Sequence, residues 1–278
     1  MPELPEVETV VRDLRTHRLE GAVIRSVSLG WPRLVSGVNP SDFAAALCGR
    51  SIVRISRQGK NILLWLDNGS CLHVHLRMTG KFRIEPTGPA SRPHDHLMFV
   101  LGDGRKLVFN DTRKFGRFRI VPKGVNGLSD LGPDALDDAF TAELFRHRLE
   151  GRRRMIKPLL LDQTVLAGLG NIYVDESLWD AGIHPCRTAD TLGKAELRRL
   201  YHAIRSVLRR AVLNGGTTLG TGSANFYTVS GRRGMHAGKL KVFRRAGKSC
   251  PRCGTRIIRI VVGQRGTHVC PSCQTGVV

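Results

Sequence analysis

A chain of 278 residues, 41% of them hydrophobic, is long enough for two cores and too apolar to be disordered throughout. Its 44 Lys and Arg against 23 Asp and Glu give a net charge of +21, which directs attention to a polyanionic partner. No apolar run reaches ~18 residues and the first twenty residues lack an apolar h-region, so neither a membrane-spanning helix nor a secretory signal is expected, and the protein is predicted to be intracellular.

The opening "MPELPEVETV" reads as the start of an amphipathic helix over residues 3–18, with Val7, Val10, Val11 and Leu14 at helical spacing and Gly21 as its stop. Pro and acids at its start suit a helix N-terminus and need no further function. A run of strands is predicted next: "AVIRSVSL", "SIVRISR", "NILLWLD", "CLHVHLRM", "KFRIEP", "HLMFVLGDGRKLVFND" and "GRFRIVP" are short β-type segments split by Gly, Asn and Asp. Gly102-Asp103-Gly104 marks a hairpin inside the sixth. Strands at this spacing predict a β-sandwich or barrel with the first helix packed on it.

The Gly/Pro/Asp-rich stretch over residues 123–137 reads as an interdomain linker. Helical periodicity follows in "DAFTAELFRHRLEG", "RRMIKPLLLD", "NIYVDESLWDAG" and "KAELRRLYHAIRSVLRRAVLNG", then a long, mobile loop at 220–238. Asn171 follows Gly168-Leu169-Gly170 at the start of a helix. It is either an ordinary cap or part of an anion site where amides point outward and glycines let a phosphate approach.

Cys250, Cys253, Cys270 and Cys273 form C-x2-C-x16-C-x2-C. Such pairs let four thiolates meet one tetrahedral Zn²⁺; disulfides are the alternative and fit an intracellular chain poorly. The intervening residues alternate like a β-hairpin turning at "GQRG", with Arg265 at its tip as a solvated charge or a phosphate contact. Cys48, Cys71 and Cys186 are scattered and read as inert thiols. From Leu197 to Val278 there are 16 Lys and Arg and no acid, whereas the first 196 residues carry only +5. Nucleic acid is the expected partner, and a membrane surface the lesser alternative.

Taken in order, "PELPEVETV", Gly59-Lys60, "HLRMTG", "DTRKFG", "GLGNIYVDESL" and the terminal four-cysteine module resemble the formamidopyrimidine-DNA glycosylases of the Fpg/Nei base-excision repair family, over essentially the whole chain. The resemblance implies an α+β fold: an N-terminal β-sandwich catalytic domain (1–122), the linker (123–137), a helical helix–two-turn–helix domain (138–238) and a zinc-finger hairpin (239–278) holding one structural zinc. It implies a monomeric bacterial enzyme of the cytoplasm and nucleoid that binds double-stranded DNA carrying an oxidised base or abasic site. The implied activity is removal of oxidised purines, followed by AP-lyase cleavage through β,δ-elimination.

The resemblance also implies roles. Pro2, once Met1 is removed, is the nucleophile, Glu3 the general acid, and Lys60 the lysine near the abasic sugar. Met78, Arg113 and Phe115 fill the gap left by the everted nucleotide. Asn171 and Arg265 clamp phosphates, Arg265 also serving the second elimination, and His94 and Arg152 contact DNA. The chemistry is coherent. A base must leave the stack to be attacked, and a thioether, a planar cation and a ring suit the gap. A terminal amine has a pKa near 8, so part of it is neutral at physiological pH. As a secondary amine it forms an iminium that acidifies C2′, while the adjacent carboxyl can protonate the ring oxygen.

Three places depart from the family pattern. Arg77 stands where a glycine is usual before the wedge methionine, "VFRRAGKSC" lacks the usual acid, and the loop at 220–238 differs most. The last keeps an endonuclease VIII-like enzyme for oxidised pyrimidines as an alternative. A non-catalytic damaged-DNA-binding protein is a second, opposed by the presence of Pro2, Glu3 and Lys60.

Overall fold

The computed structural model describes residues 1–86, 92–222 and 225–276. Leu4, Val7, Val10, Val11 and Leu14 form the buried stripe of α1 (Leu4–Thr16). That stripe packs on β2 (Ile52–Gln58) and β3 (Asn61–Leu66). Each such buried aliphatic contributes about 1.5–3 kcal/mol, so an acid at Val10 would detach the helix. One antiparallel sheet runs β2, β3, β4 (Cys71–His75), β8 (Arg117–Val121). The other runs β1 (Ile24–Leu29), β6 (Asp95–Leu101), β7 (Lys106–Asn110), β5 (Lys81–Glu85). Ile55, Leu64 and Val74 of the first sheet share a core with Phe82, Phe99 and Phe109 of the second, so the sheets face each other as the strand pattern predicts. Residues 102–104 do form the β6–β7 hairpin, closed by the Leu101 amide on Arg105 O at 2.8 Å.

A 3₁₀ turn (Pro32–Leu34) and α2 (Pro40–Leu47) occupy a stretch for which the strand pattern predicts no element. The signal for α2 was present: Asn39 caps it through the Asp42 amide at 2.9 Å, and Pro40 opens it.

Two compact units result. Met1–Ser129 joins with Asn214–Ala237, and Asp130–Leu213 joins with Gly238–Val278. The chain thus returns to the first unit after its longest helix. Among its described residues this returning stretch is fastened along α1: Thr217 N donates to Glu6 Oε1 at 2.7 Å, Ser230 N to Asp13 Oδ2 at 3.3 Å, and His17 Nε2 lies 3.0 Å from Ser230 Oγ. Val229 enters the β-sandwich core.

In the second unit α3 (Ala142–Leu149) packs on α6 (Lys194–Leu213), while α4 (Ile156–Leu161) and α6 pack on α5 (Asn171–Ala181). Gly182 ends α5 in the left-handed conformation, φ 69°, which costs a glycine little. The chain closes with a hairpin of β9 (Ile258–Val262) and β10 (Arg265–Val269), the latter packed on α5. Gly263 and Gln264 both have positive φ (55° and 63°), a type I′ turn, so Arg265 is the first residue of β10, just past the tip. No helix among the described residues is long and apolar enough to cross a membrane.

Candidate active site

In the first unit, Pro2, Glu3 and Glu6 are buried at the start of α1. Glu3 is the N-cap, and its amide donates to Glu6 Oε2 at 2.8 Å. Glu6 therefore joins the helix start to Thr217 of the returning stretch, and Gly216 is close enough that a Cβ there would sit 3.0 Å from Glu6 Cγ. The sequence places Glu6 one helical turn on from Pro2 and Glu3, where it can hydrogen-bond around the site, but does not say to what. Its partner is 211 residues away and has no local signature.

Lys60 is placed by a tight turn. Gln58 pairs with Asn61, leaving Gly59 and Lys60 as the two loop residues, with Gly59 at φ 58°. Arg57 fixes this turn to α1: its Nε donates to Glu8 Oε2 at 3.2 Å and its Nη1 to Gly59 O at 3.0 Å. Lys60 is only 5% exposed. Asn61 pairs with His75, so Lys60 lies beside the end of β4. Burial, with the Arg77 and Lys60 charges, pushes His75 down to about 3, so its ring is neutral and its Nδ1 accepts the Arg77 amide at 3.0 Å. His75 is a residue the motif reading missed. The alternation of "CLHVH", which sends His73 and His75 to the outer face, could have found it.

Two adjacent loops carry the residues expected to fill a gap in DNA. Met78 (38% exposed) sits in the turn after β4, and Phe115 (44% exposed) between β7 and β8, with the Arg113 guanidinium 4.7 Å over its ring. Arg77 adopts φ 55°, the left-handed region that glycine enters freely. His94 is exposed at φ 72°, and its carbonyl accepts the Asp111 amide at 3.0 Å.

In the second unit Asn171 is the first residue of α5, after Gly170 as N-cap. Its Nδ2 donates to Gly266 O at 3.0 Å, next to Arg265, and its buried Oδ1 has no hydrogen-bond partner. A fully buried ion pair fixes the same place: Lys157 Nζ donates to Asp175 Oδ1 at 2.6 Å and Thr267 Oγ1 at 2.8 Å, while Asp175 Oδ2 accepts the His268 amide at 2.9 Å. Asn171 and Arg265, 94 positions apart in sequence, are thereby held together. Arg265 is exposed, as is Arg152, whose Nε donates to Arg148 O at 2.8 Å.

All seven cysteines are free thiols, so the disulfide alternative is not realised. The sulfurs of Cys250, Cys253, Cys270 and Cys273 lie within 4.8 Å of one another. Four sulfurs ~2.3 Å from one tetrahedral zinc would be about 3.8 Å apart, and Cys250–Cys273 and Cys253–Cys270 are 3.9 and 3.4 Å. The Arg252 amide and Trp179 Nε1 donate to Cys250 Sγ, and the Cys273 amide to Cys270 Sγ, each at 3.4 Å. Donors aimed at sulfur suit thiolates, so the donor set fits one structural zinc.

Three family models match successive parts of the chain. Residues 1–118 match the formamidopyrimidine-DNA glycosylase N-terminal domain, 131–223 the formamidopyrimidine-DNA glycosylase H2TH domain, and 247–276 the zinc finger found in FPG and IleRS. The formamidopyrimidine-DNA glycosylase of Herpetosiphon aurantiacus is 46% identical over 99% of this chain and all of its own. That of Protochlamydia amoebophila is 43% identical over 99% of both. A Lactococcus lactis FPG point mutant, in complex with DNA containing Fapy-dG, shares the fold at TM-score 0.91 and 37% identity, covering 99% of this chain and 100% of that one. The wild-type Lactococcus protein bound to DNA with an oxidised pyrimidine gives 0.89 and 36% over the same shares.

Proposed function

The chain belongs to the formamidopyrimidine-DNA glycosylase family, and from that premise we propose how its own residues act as a base-excision repair enzyme on oxidised purines. With Met1 removed, Pro2 carries a secondary amine that attacks C1′ of the damaged nucleoside as the base leaves. Glu3 protonates the ring oxygen. The iminium makes C2′ acidic, and elimination opens the strand. Lys60 faces the phosphate and sugar from its turn, and the neutral His75 ring adds no charge beside it. Met78, Arg113 and Phe115 occupy the vacated stack. Asn171, Arg265, His94 and Arg152 hold the backbone, and Arg265 assists the second elimination. Zinc, when bound by the four cysteines, fixes the hairpin that presents Arg265. We place the enzyme, as a monomer, in the bacterial cytoplasm and against the nucleoid.

The observation that carries this reading is the burial of Pro2, Glu3 and Lys60 in one unit, joined through Glu8, Arg57 and the Gly59 carbonyl. A catalytic amine and acid gain from a dry, fixed setting, whereas an ordinary helix start would be solvated. Borohydride reduction with duplex containing 8-oxoguanine opposite cytosine tests it. A covalent protein–DNA adduct is expected from processed protein and none from protein that keeps Met1, whose Pro2 nitrogen is an amide. Tight binding without any adduct would sink the reading. The pyrimidine alternative retains one supporting observation, since the Lactococcus relative has been crystallised on an oxidised pyrimidine; a thymine glycol duplex in the same assay separates the two.

A further inference from the structure

Asp111 is fully buried, yet its carboxylate receives backbone and hydroxyl donors from two separate loops. Thr79 Oγ1 donates to Oδ1. The Arg113 amide donates to the same oxygen at 3.2 Å, and the Gly116 amide to Oδ2 at 2.7 Å. Its main chain is engaged as well: the amide donates to His94 O, and the carbonyl lies 3.0 Å from His96 Nε2. A buried carboxylate is costly unless hydrogen-bonded on both oxygens, and a carboxylate, unlike an amide, can only accept. Every carboxylate donor here is beside, or is itself, a residue whose side chain projects outward. Thr79 follows Met78, Gly116 follows Phe115, and Arg113 is itself one of the three.

The same two loops are also clamped from behind. A Cβ on Gly80 would come within 2.5 Å of the Phe109 ring, and one on Gly116 within 2.6 Å. Both backbones therefore lie flat against that one core ring. Thr79 completes the link by accepting the Arg113 amide at 3.2 Å while donating to Asp111.

We infer that Asp111, with Thr79 as its relay, is a positioning residue that makes the Met78 loop and the Arg113–Phe115 loop move and insert as one body. This rests on the reading that those three side chains enter the gap in the duplex. Acting together, they would fill the gap in one step, so that losing either loop's contact costs most of what losing both costs. Without the link each loop would insert independently.

The test is a double-mutant cycle on nucleotide eversion. The readout is the rate of fluorescence rise of 2-aminopurine placed beside 8-oxoguanine in duplex DNA, with the full-length zinc-loaded protein. Met78→Ala and Arg113→Ala are each expected to slow eversion, and the double variant to be little slower than the worse single one. In a Thr79→Val background, which keeps the side-chain shape, the same two substitutions should become multiplicative, with Thr79→Val alone about tenfold slow. Thr79→Ser should restore the wild-type pattern. Asp111→Asn should act as Thr79→Val or more severely. If Met78→Ala slows eversion but the cycle is unchanged by Thr79→Val, the coupling is refuted while the insertion reading stands. If neither Met78→Ala nor Arg113→Ala slows eversion, both are refuted.

Discussion

Replacing Lys157 by methionine isolates the energetic role of the buried pair beneath Asn171 and Arg265. The side chains of Lys157 and Asp175 are both 0% exposed. Removing the ammonium takes from Asp175 Oδ1 its 2.6 Å partner and leaves the carboxylate with the His268 amide and the His268 ring, 3.3 Å away. It also strips Thr267 Oγ1 of a donor. An uncompensated buried charge of this kind costs about 3–5 kcal/mol. For a unit of this size, that is a fall in Tm of roughly 10–20 °C. Trp179 lies in the same unit, so its fluorescence during denaturant unfolding, in a Trp31→Phe, Trp65→Phe background, reads this loss selectively. Adding Asp175→Asn should return part of the loss, since a neutral amide tolerates burial better, giving a coupling of about 2 kcal/mol or more. A Tm within ~2 °C of wild type for Lys157→Met, or simple additivity in the cycle, would mean that Lys157 and Asp175 do not stabilise each other as a desolvated pair.

Arg77→Gly should stabilise the first unit by up to about 1 kcal/mol, because a left-handed arginine costs about 1–2 kcal/mol and glycine's extra unfolded-state entropy returns part of that; a lower Tm would count against it. Cys270→Ser or chelation should abolish duplex binding while near-ultraviolet circular dichroism still reports a folded β-sandwich; unchanged binding would remove the hairpin from the interface. Affinity for duplex should fall steeply with salt, the log–log slope reaching about −5 if six phosphates are contacted; a flat response would contradict the role given to the basic residues after Leu197. Burial alone would raise the Asp95 carboxyl, but the Arg83 guanidinium, Asn110 Nδ2 and the Arg92 amide together hold it below its ordinary value. Its contribution is therefore present above about pH 4 and lost as pH falls through the folded value, so Asp95→Asn should flatten the acid limb of an unfolding curve; an unaltered limb would contradict that assignment.

Much of this protein was set by its sequence alone, wherever the signal is local. The two C-x2-C pairs bring their sulfurs together because the spacing within each pair suffices for one ion. Gly59-Lys60 and Gly263-Gln264 specify two-residue turns because glycine admits the backbone angles needed. The 3.6-residue spacing of valines and leucines specifies α1 and the face it buries. Asn39-Pro40 likewise encoded α2, although the strand pattern around it drew no attention to it.

The rest was decided by packing between distant segments. Nothing near Glu6 announces Thr217, and nothing near Asp111 announces Thr79, because these partners meet only when separate elements pack. The return of Asn214–Ala237 to the first unit follows from Val229 finding room in a core built by residues 7–118. Lys157, Asp175 and Thr267 are unremarkable singly, and become a fixed pair beneath Asn171 and Arg265 only where α4, α5 and β10 exclude water. Spacing along a chain fixes turns, helices and ligand knuckles. The pairing of buried charges waits on the tertiary fold, since only desolvation makes one partner worth more than water.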